Sequence, residues 1–195
     1  MTARVPRKAV PGPGTVGVTQ LGPDWVTGPD GVPFRRGARL ILLDTAGRVL
    51  MVRGHDVDNP SRSWWFTVGG GIDAGETGVQ AAVRELREET GLVVEAADVV
   101  GPVARRRAVF DFAARTVRQD EEFFVAHVDT PGPIATDGWT DVERAFMDEV
   151  RWWALDDLEC VAAEVFPADL VPLVRGLMDG WDGVVRELPD EGLVG

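Results

Sequence analysis

The chain has 195 residues, a hydrophobic fraction of 45% and a net charge of −12, which fits one domain with a real core and room for an added element. The negative charge argues against a nucleic-acid polymer as the main partner. The single cysteine, Cys160, rules out an internal disulfide and a cysteine-rich zinc site, and no apolar run approaches membrane-spanning length.

Residues 1–24 are rich in Pro and Gly, show no periodicity and read as a flexible or loosely docked N-terminal arm. The opening MTARVPRKAVPGPG lacks the apolar centre of a signal peptide, so a cytoplasmic setting without a membrane partner is expected. Ordered structure is expected over 25–186, with 187–195 as an acidic tail. Arg35 and Arg36 lie in a turn-rich stretch and either meet phosphate or cover a surface turn. The run ARLILL at 38–43 predicts a buried strand, 44–47 a hairpin turn and 48–53 the return strand. A long polar segment, GHDVDNPSRSWW, follows. Trp64 and Trp65 are adjacent on the strand after it, so one faces away from the other; the one outside the core is free to stack on a flat group or to cover a site.

Next comes Gly69-Gly70-Gly71, then a helical pattern in which Val79, Ala82, Val83, Leu86 and Thr90 form a mostly apolar stripe. Thr77 is placed to cap its start and Gly91 to end it. Glu85, Glu88 and Glu89 fall at i, i+3 and i+4, on one turn. Three carboxylates there repel each other. The arrangement is either a solvated acidic face or a site for a hard divalent cation, whose preferred ligands are carboxylate oxygens. Arg84 reaches Glu88 at i+4.

Two strand pieces are expected within 93–109, broken at Gly101-Pro102, and a turn within 111–116. Arg105, Arg106 and Arg107 make a solvated edge or a phosphate contact. The alternation of 117–128 predicts a strand with Gln119, Glu121, Phe123 and Val125 on one face. Glu121 and Glu122 are both candidates to complete a metal site or activate water. A short helix is expected over 141–147, a last strand over 149–155, and a packing helix over 167–181.

The stretch Gly70 to Leu92 resembles the signature of the Nudix hydrolases, G-x5-E-x7-R-E-U-x-E-E-x-G-U, where U is a bulky aliphatic residue. Gly70, Glu76, Arg84, Glu85, Leu86, Glu88, Glu89, Gly91 and Leu92 fill every fixed position. The family commonly has a proline just before the glycines, where this chain has Val68. The resemblance implies an α/β fold, an α/β/α sandwich around a mixed β-sheet, and metal-dependent hydrolysis of a pyrophosphate link in a nucleoside diphosphate joined to another group X. It implies Mg²⁺ or Mn²⁺ held by Glu85, Glu88, Glu89 and the Gly69 carbonyl, with Glu85, Glu88 and Arg84 as the catalytic set. Glu76 and Arg84 also look structural, tying loop to helix. Arg53, Trp64, Trp65 and Glu121 are the candidate contacts to a small phosphoanhydride substrate. In some families with this signature a late acid is the base, a role open to Asp141 and Glu143. Homodimers are frequent in the family. The alternative is a non-catalytic sensor of nucleotides or nucleotide sugars with the same fold. An isoprenoid diphosphate isomerase is disfavoured, because its Cys–Glu chemistry would fall to Cys160, far in sequence from the signature.

Overall fold

The computed structural model describes residue 21 and residues 24–57, 59–112, 115–130 and 132–190. The N-terminal arm, apart from residues 21 and 24, and the last five residues of the acidic tail lie outside them. The chain runs β1 (Val26–Thr27), β2 (Pro33–Asp44), β3 (Val49–His55), β4 (Ser63–Gly71), α1 (Gly78–Thr90), β5 (Val100–Phe112), β6 (Arg115–Val128), α2 (Asp141–Phe146), β7 (Met147–Trp153), α3 (Leu155–Glu159), β8 (Glu164–Phe166), α4 (Leu170–Arg175) and β9 (Arg186–Glu187). The strands form one mixed sheet in the order β7-β3-β4-β2-β6-β5-β9, with β1 against β2 and β8 against β4. Parallel pairs are β2–β6, β4–β8 and β5–β9.

Strand alternation splits the core into two layers. Ala38, Leu40 and Leu42 of β2, with Phe124 and Ala126 of β6, pack under Ala81, Ala82 and Leu86 of α1. Ile41 and Leu43, with Phe123 and Val125, point the other way and pack under Leu158 of α3 and Leu170, Leu173 and Val174 of α4. Helices thus cover both faces of the sheet, the α/β/α sandwich expected from the signature. Among the described residues, no helix is long and apolar enough to cross a membrane.

Four expectations are corrected. The two strand pieces around Gly101-Pro102 are one strand, β5. Its pairing with β6 slips between Val100 and Ala104, so a bulge absorbs the proline that cannot donate to the ladder. The strand at 147–153 is not the last, because β8 and β9 follow; at three and two residues they are too short to show a period. The helix expected over 167–181 is only Leu170–Arg175, followed by Gly176 and Gly180, which weaken helix. Finally, the boundary placed between 186 and 187 falls inside β9, which is tied to β5 with Leu188 N–H donating to Arg105 O at 2.8 Å.

Candidate active site

Helix α1 is fixed at both ends. Thr77 Oγ1 accepts from Gln80 N–H while the Gln80 side chain accepts from Thr77 N–H, a reciprocal capping box. Gly91, at φ 71°, closes the other end with its N–H on Arg87 O. The helix then lays Glu85 and Glu89 against the end of β4, and glycine makes that approach feasible. A Cβ on Gly70 would lie 2.6 Å from a Glu85 oxygen; one on Gly69, at φ 135°, would instead meet the neighbouring strand β2, 2.1 Å from Ala38 O. Gly69 N–H donates to Glu89 Oε2 at 3.1 Å.

The segment after β6 brings in a third acid. Ala135 N–H donates to Thr90 O, and Trp139 Nε1–H to Glu89 O, both at 2.8 Å, so this segment lies along the C-terminal turn of α1. It leads into α2, where Thr140 and Glu143 form a second capping box. Glu85, Glu89 and Glu143 each bring a carboxylate oxygen within 4.8 Å of the others. One Glu143 oxygen also accepts from Thr140 N–H at 2.6 Å, so the cap that starts α2 aims the residue inward.

Charge in this group is left in surplus. Burial raises the Glu85 carboxyl above its ordinary pKa; Arg84 opposes that, while Glu88 and Glu143 add to it. Burial lifts Glu89 well above the ordinary range and Glu85 adds to it, against the smaller opposition of Arg39 and Gly69 N–H. Two buried carboxylates and a half-buried one, all hard oxygen donors, fit a divalent cation of the Mg²⁺ or Mn²⁺ kind.

The other expected residues take varied places. Arg84 binds both Glu76 oxygens at 2.9 Å, Glu85 at 2.8 Å, Glu88 at 3.1 Å and Gly71 O at 2.9 Å, so it ties loop to helix and fixes Glu85. Glu88 shares the turn but not the cluster; its side chain is 54% exposed and paired with Arg84. The Gly69 carbonyl already accepts from Arg39 Nη1 at 2.6 Å. Trp65 is core, 4% exposed and edge-on to Trp153 at 5.1 Å, whereas Trp64 is half-buried beneath the Arg62 guanidinium. Trp64 is five residues before Gly69 on β4, about 16 Å along an extended strand. Arg53, opposite Trp65 in the ladder, donates to Ser63 Oγ at 3.3 Å. Glu121 is 2% exposed and held by arginines rather than open to a ligand. Burial alone would raise its carboxyl, but Arg39 and Arg106 outweigh that and hold it at about 2.

Sequence reasoning left two residues unassigned. Glu143 stood beside Asp141 as an undifferentiated late acid, although the T-x-x-E pattern at 140–143 is a capping-box signature that fixes where its side chain goes. Arg39 was passed over, although a charge inside the apolar run ARLILL is itself a signal, since buried charges need partners.

A model of the NUDIX domain matches residues 33–174, well over half of the chain. Among curated proteins, an RNA pyrophosphohydrolase of Dinoroseobacter shibae is 41% identical over 69 residues, 35% of this chain and 41% of that protein. One of Brucella anthropi is 38% identical over 69 residues, 33% of this chain and 39% of that protein. The matches therefore span about two fifths of these relatives' length. Among solved structures, the MutT NUDIX hydrolase of Burkholderia pseudomallei superposes with a TM-score of 0.50 at 24% identity, over 72% of this chain and 95% of that one. The NUDIX domain of Shewanella oneidensis NrtR, solved with ADP ribose, superposes with a TM-score of 0.51 at 19% identity, over 72% and 86%. At these identities the structural likeness speaks to the fold, and with the domain match it leads to one conclusion: this chain belongs to the NUDIX family.

Proposed function

We propose that the chain is a metal-dependent pyrophosphohydrolase that cleaves the pyrophosphate link of a nucleoside diphosphate joined to another group. The observation that carries this reading is the convergence of Glu85, Glu89 and Glu143 from two helices, with oxygens within 4.8 Å and too little positive charge beside them. Glu85 and Glu89 would hold Mg²⁺ or Mn²⁺, with Glu143 completing the set. The bound cation supplies two things: it neutralises charge building on phosphate oxygens and it lowers the pKa of water.

The chain's own residues do the rest. Arg84 locks Glu85 by a charge-assisted bond of 2.8 Å, so one Glu85 oxygen stays aimed at the cluster. A carboxylate there takes the proton from the attacking water as the new P–O bond forms. The bond to the departing phosphate breaks, and that group leaves with the electron pair. Glu85 and Glu143 both belong to the cluster and have the chemistry for the proton transfer.

The substrate class is open to a direct test. The relatives named RNA pyrophosphohydrolase bring 5′-triphosphorylated RNA into the panel beside nucleoside triphosphates, ADP ribose and dinucleoside polyphosphates, even though a net charge of −12 disfavours a long polyanion. Each is incubated with Mg²⁺ or Mn²⁺ and then with excess EDTA, and products are resolved by chromatography. Cleavage at a pyrophosphate link that stops in EDTA and resumes on adding the cation is the expected result. Binding without product across the panel would favour the sensor alternative, and full turnover in EDTA would refute metal dependence.

A further inference from the structure

We propose that Arg39, anchored by Glu121, is a positioning residue for cation binding: it clamps the backbone around Gly69 that holds Glu89. The proposal rests on the reading of Glu85, Glu89 and Glu143 as the cation site.

Arg39 stands directly opposite Gly69 in the β2–β4 ladder. Its Nη1 donates to Gly69 O at 2.6 Å and, more weakly, to Thr67 O at 3.4 Å. These two carbonyls flank the peptide unit between Val68 and Gly69, whose N–H is the one that Glu89 Oε2 accepts. Gly69 has φ 135° and no side chain, so its two dihedrals are freer than those of a residue with a Cβ. Fixing its carbonyl fixes the direction of the neighbouring N–H, and with it the Glu89 oxygen left for a cation.

The clamp is itself held from behind. By strand alternation Arg39 shares the α4 side of the sheet with Ile41 and Leu43, and Glu121 shares it with Phe123 and Val125. Glu121 accepts from Arg39 Nε at 2.7 Å, from Arg106 Nε at 2.8 Å and from Gln119 Nε2 at 2.7 Å. Arg39 therefore has its Nε spent on Glu121 and its Nη1 aimed at the glycine backbone, a division that the planar fork of guanidinium allows and an ammonium does not. A buried Arg–Glu–Arg set is a weak source of net stability. What distinguishes this one is that, among the described residues, Arg39 donates to the backbone that carries Glu89, while the side-chain bonds shown for Arg106 go to Glu121.

That asymmetry supplies the test. Mn²⁺ binding to the full chain is measured from the electron paramagnetic resonance signal of free Mn²⁺, well below each variant's Tm, for wild type, Arg39→Met, Arg106→Met and Glu89→Gln. Both arginine variants remove one partner of Glu121, so both should lower Tm. Only Arg39→Met should weaken Mn²⁺ binding, by about tenfold or more, while Arg106→Met stays within about threefold, on the scale by which groups orienting metal ligands act. Arg39→Lys and Arg106→Lys make the same comparison if either methionine variant fails to fold, with Arg39→Lys expected between Arg39→Met and wild type. Wild-type affinity in the Arg39 variants, or an equal loss in the Arg39 and Arg106 variants, would overturn the clamp while leaving the cation site standing. Mn²⁺ binding that survives Glu89→Gln unchanged would overturn the reading of the site and the clamp together.

Discussion

Glu121 and Glu89 are both glutamates on regular elements, and they are 2% and 4% exposed. Arg39 acts on both: it pairs with Glu121 and reaches the backbone that binds Glu89. Burial pushes both carboxyls toward protonation, yet they end on opposite sides of the ordinary range. At Glu121 two arginines outweigh burial and hold the carboxyl at about 2. At Glu89 burial is compounded by Glu85, and what opposes it is a more distant arginine and one peptide N–H. The same residue type under the same desolvation is thus closed in one place and open in the other. Glu121 has all the positive charge it needs from within the chain. The group around Glu89 has a deficit that protonation or a cation from outside removes, and that contrast with Glu121 is what supports the proposed binding site more than the presence of acids does.

The largest effect should come from opening the closed set. Glu121→Gln keeps the shape but leaves Arg39 and Arg106 buried without their carboxylate, and breaking a buried pair this way costs about 3–5 kcal/mol. For a chain of this size that is roughly 10 °C of Tm. Thermal unfolding in EDTA reads it, and a Tm within a degree of wild type would show that the trio is solvated enough to lose its charge without cost.

The converse change belongs to the open set. Glu89→Gln keeps an acceptor for Gly69 N–H but removes charge from the deficit. Turnover in saturating Mg²⁺ should fall by a factor on the order of a hundred, the scale of losing one electrostatic stabiliser. Tm in EDTA should stay level or rise, because repulsion with Glu85 is relieved. Unfolding of this variant in EDTA would make Glu89 structural and erase the contrast with Glu121.

Much of the open set was legible in the sequence, because its order is local. The caps Thr77 and Gly91, the i+4 reach of Arg84 to Glu88 and the joint placement of Glu85 and Glu89 all follow from helical spacing, and the structure holds each. The closed set was far less legible. Arg39, Arg106 and Glu121 come from three strands, and Glu121 could not be told from Glu122, since alternation says that they part but not which side holds the cations. In the structure Glu122 is half-buried between Arg36 and Arg105. Trp64 and Trp65 posed the same problem, settled only by the packing of Trp65 on Trp153. Glu143 joins the cluster because a segment far along the chain lies on the end of α1, a contact that no periodicity encodes.

The two sets should also respond to pH in opposite senses. Glu121, lowered in the fold, contributes stability that is present above its ordinary value of 4.5 and is lost as pH falls toward about 2. Glu85 and Glu89, raised in the fold, contribute stability that is present below 4.5 and is lost as pH rises through their folded values. In EDTA the wild type should therefore lose stability relative to Glu89→Gln as pH climbs from 4.5 toward neutrality. Saturating Mg²⁺ should flatten that difference, since a bound cation favours the charged form. Denaturant titrations at several pH values check the sign, and parallel curves for the two proteins in EDTA would mean that Glu89 is not raised.

The smallest effect should come from the acid that shares the helix turn without sharing the deficit. Glu88 has 54% of its side chain in solvent and pairs with Arg84, four residues back at 3.1 Å. An exposed i,i+4 pair contributes about 0.3–0.5 kcal/mol, so Glu88→Gln should move Tm by far less than Glu121→Gln does. Its effect on the cluster is indirect. Arg84 would lose one of three carboxylate partners but keep Glu76 and Glu85, so the Glu85 carboxylate stays pinned. Binding of the first Mn²⁺ should therefore weaken far less than in Glu89→Gln, by about threefold or under, which is roughly the Coulombic share of a water-screened charge. Calorimetric titration of both variants with Mn²⁺ reads the ratio directly. Equal losses would place Glu88 among the ligands, and the line between open and closed acids would then have to be drawn around the whole helix turn rather than through it.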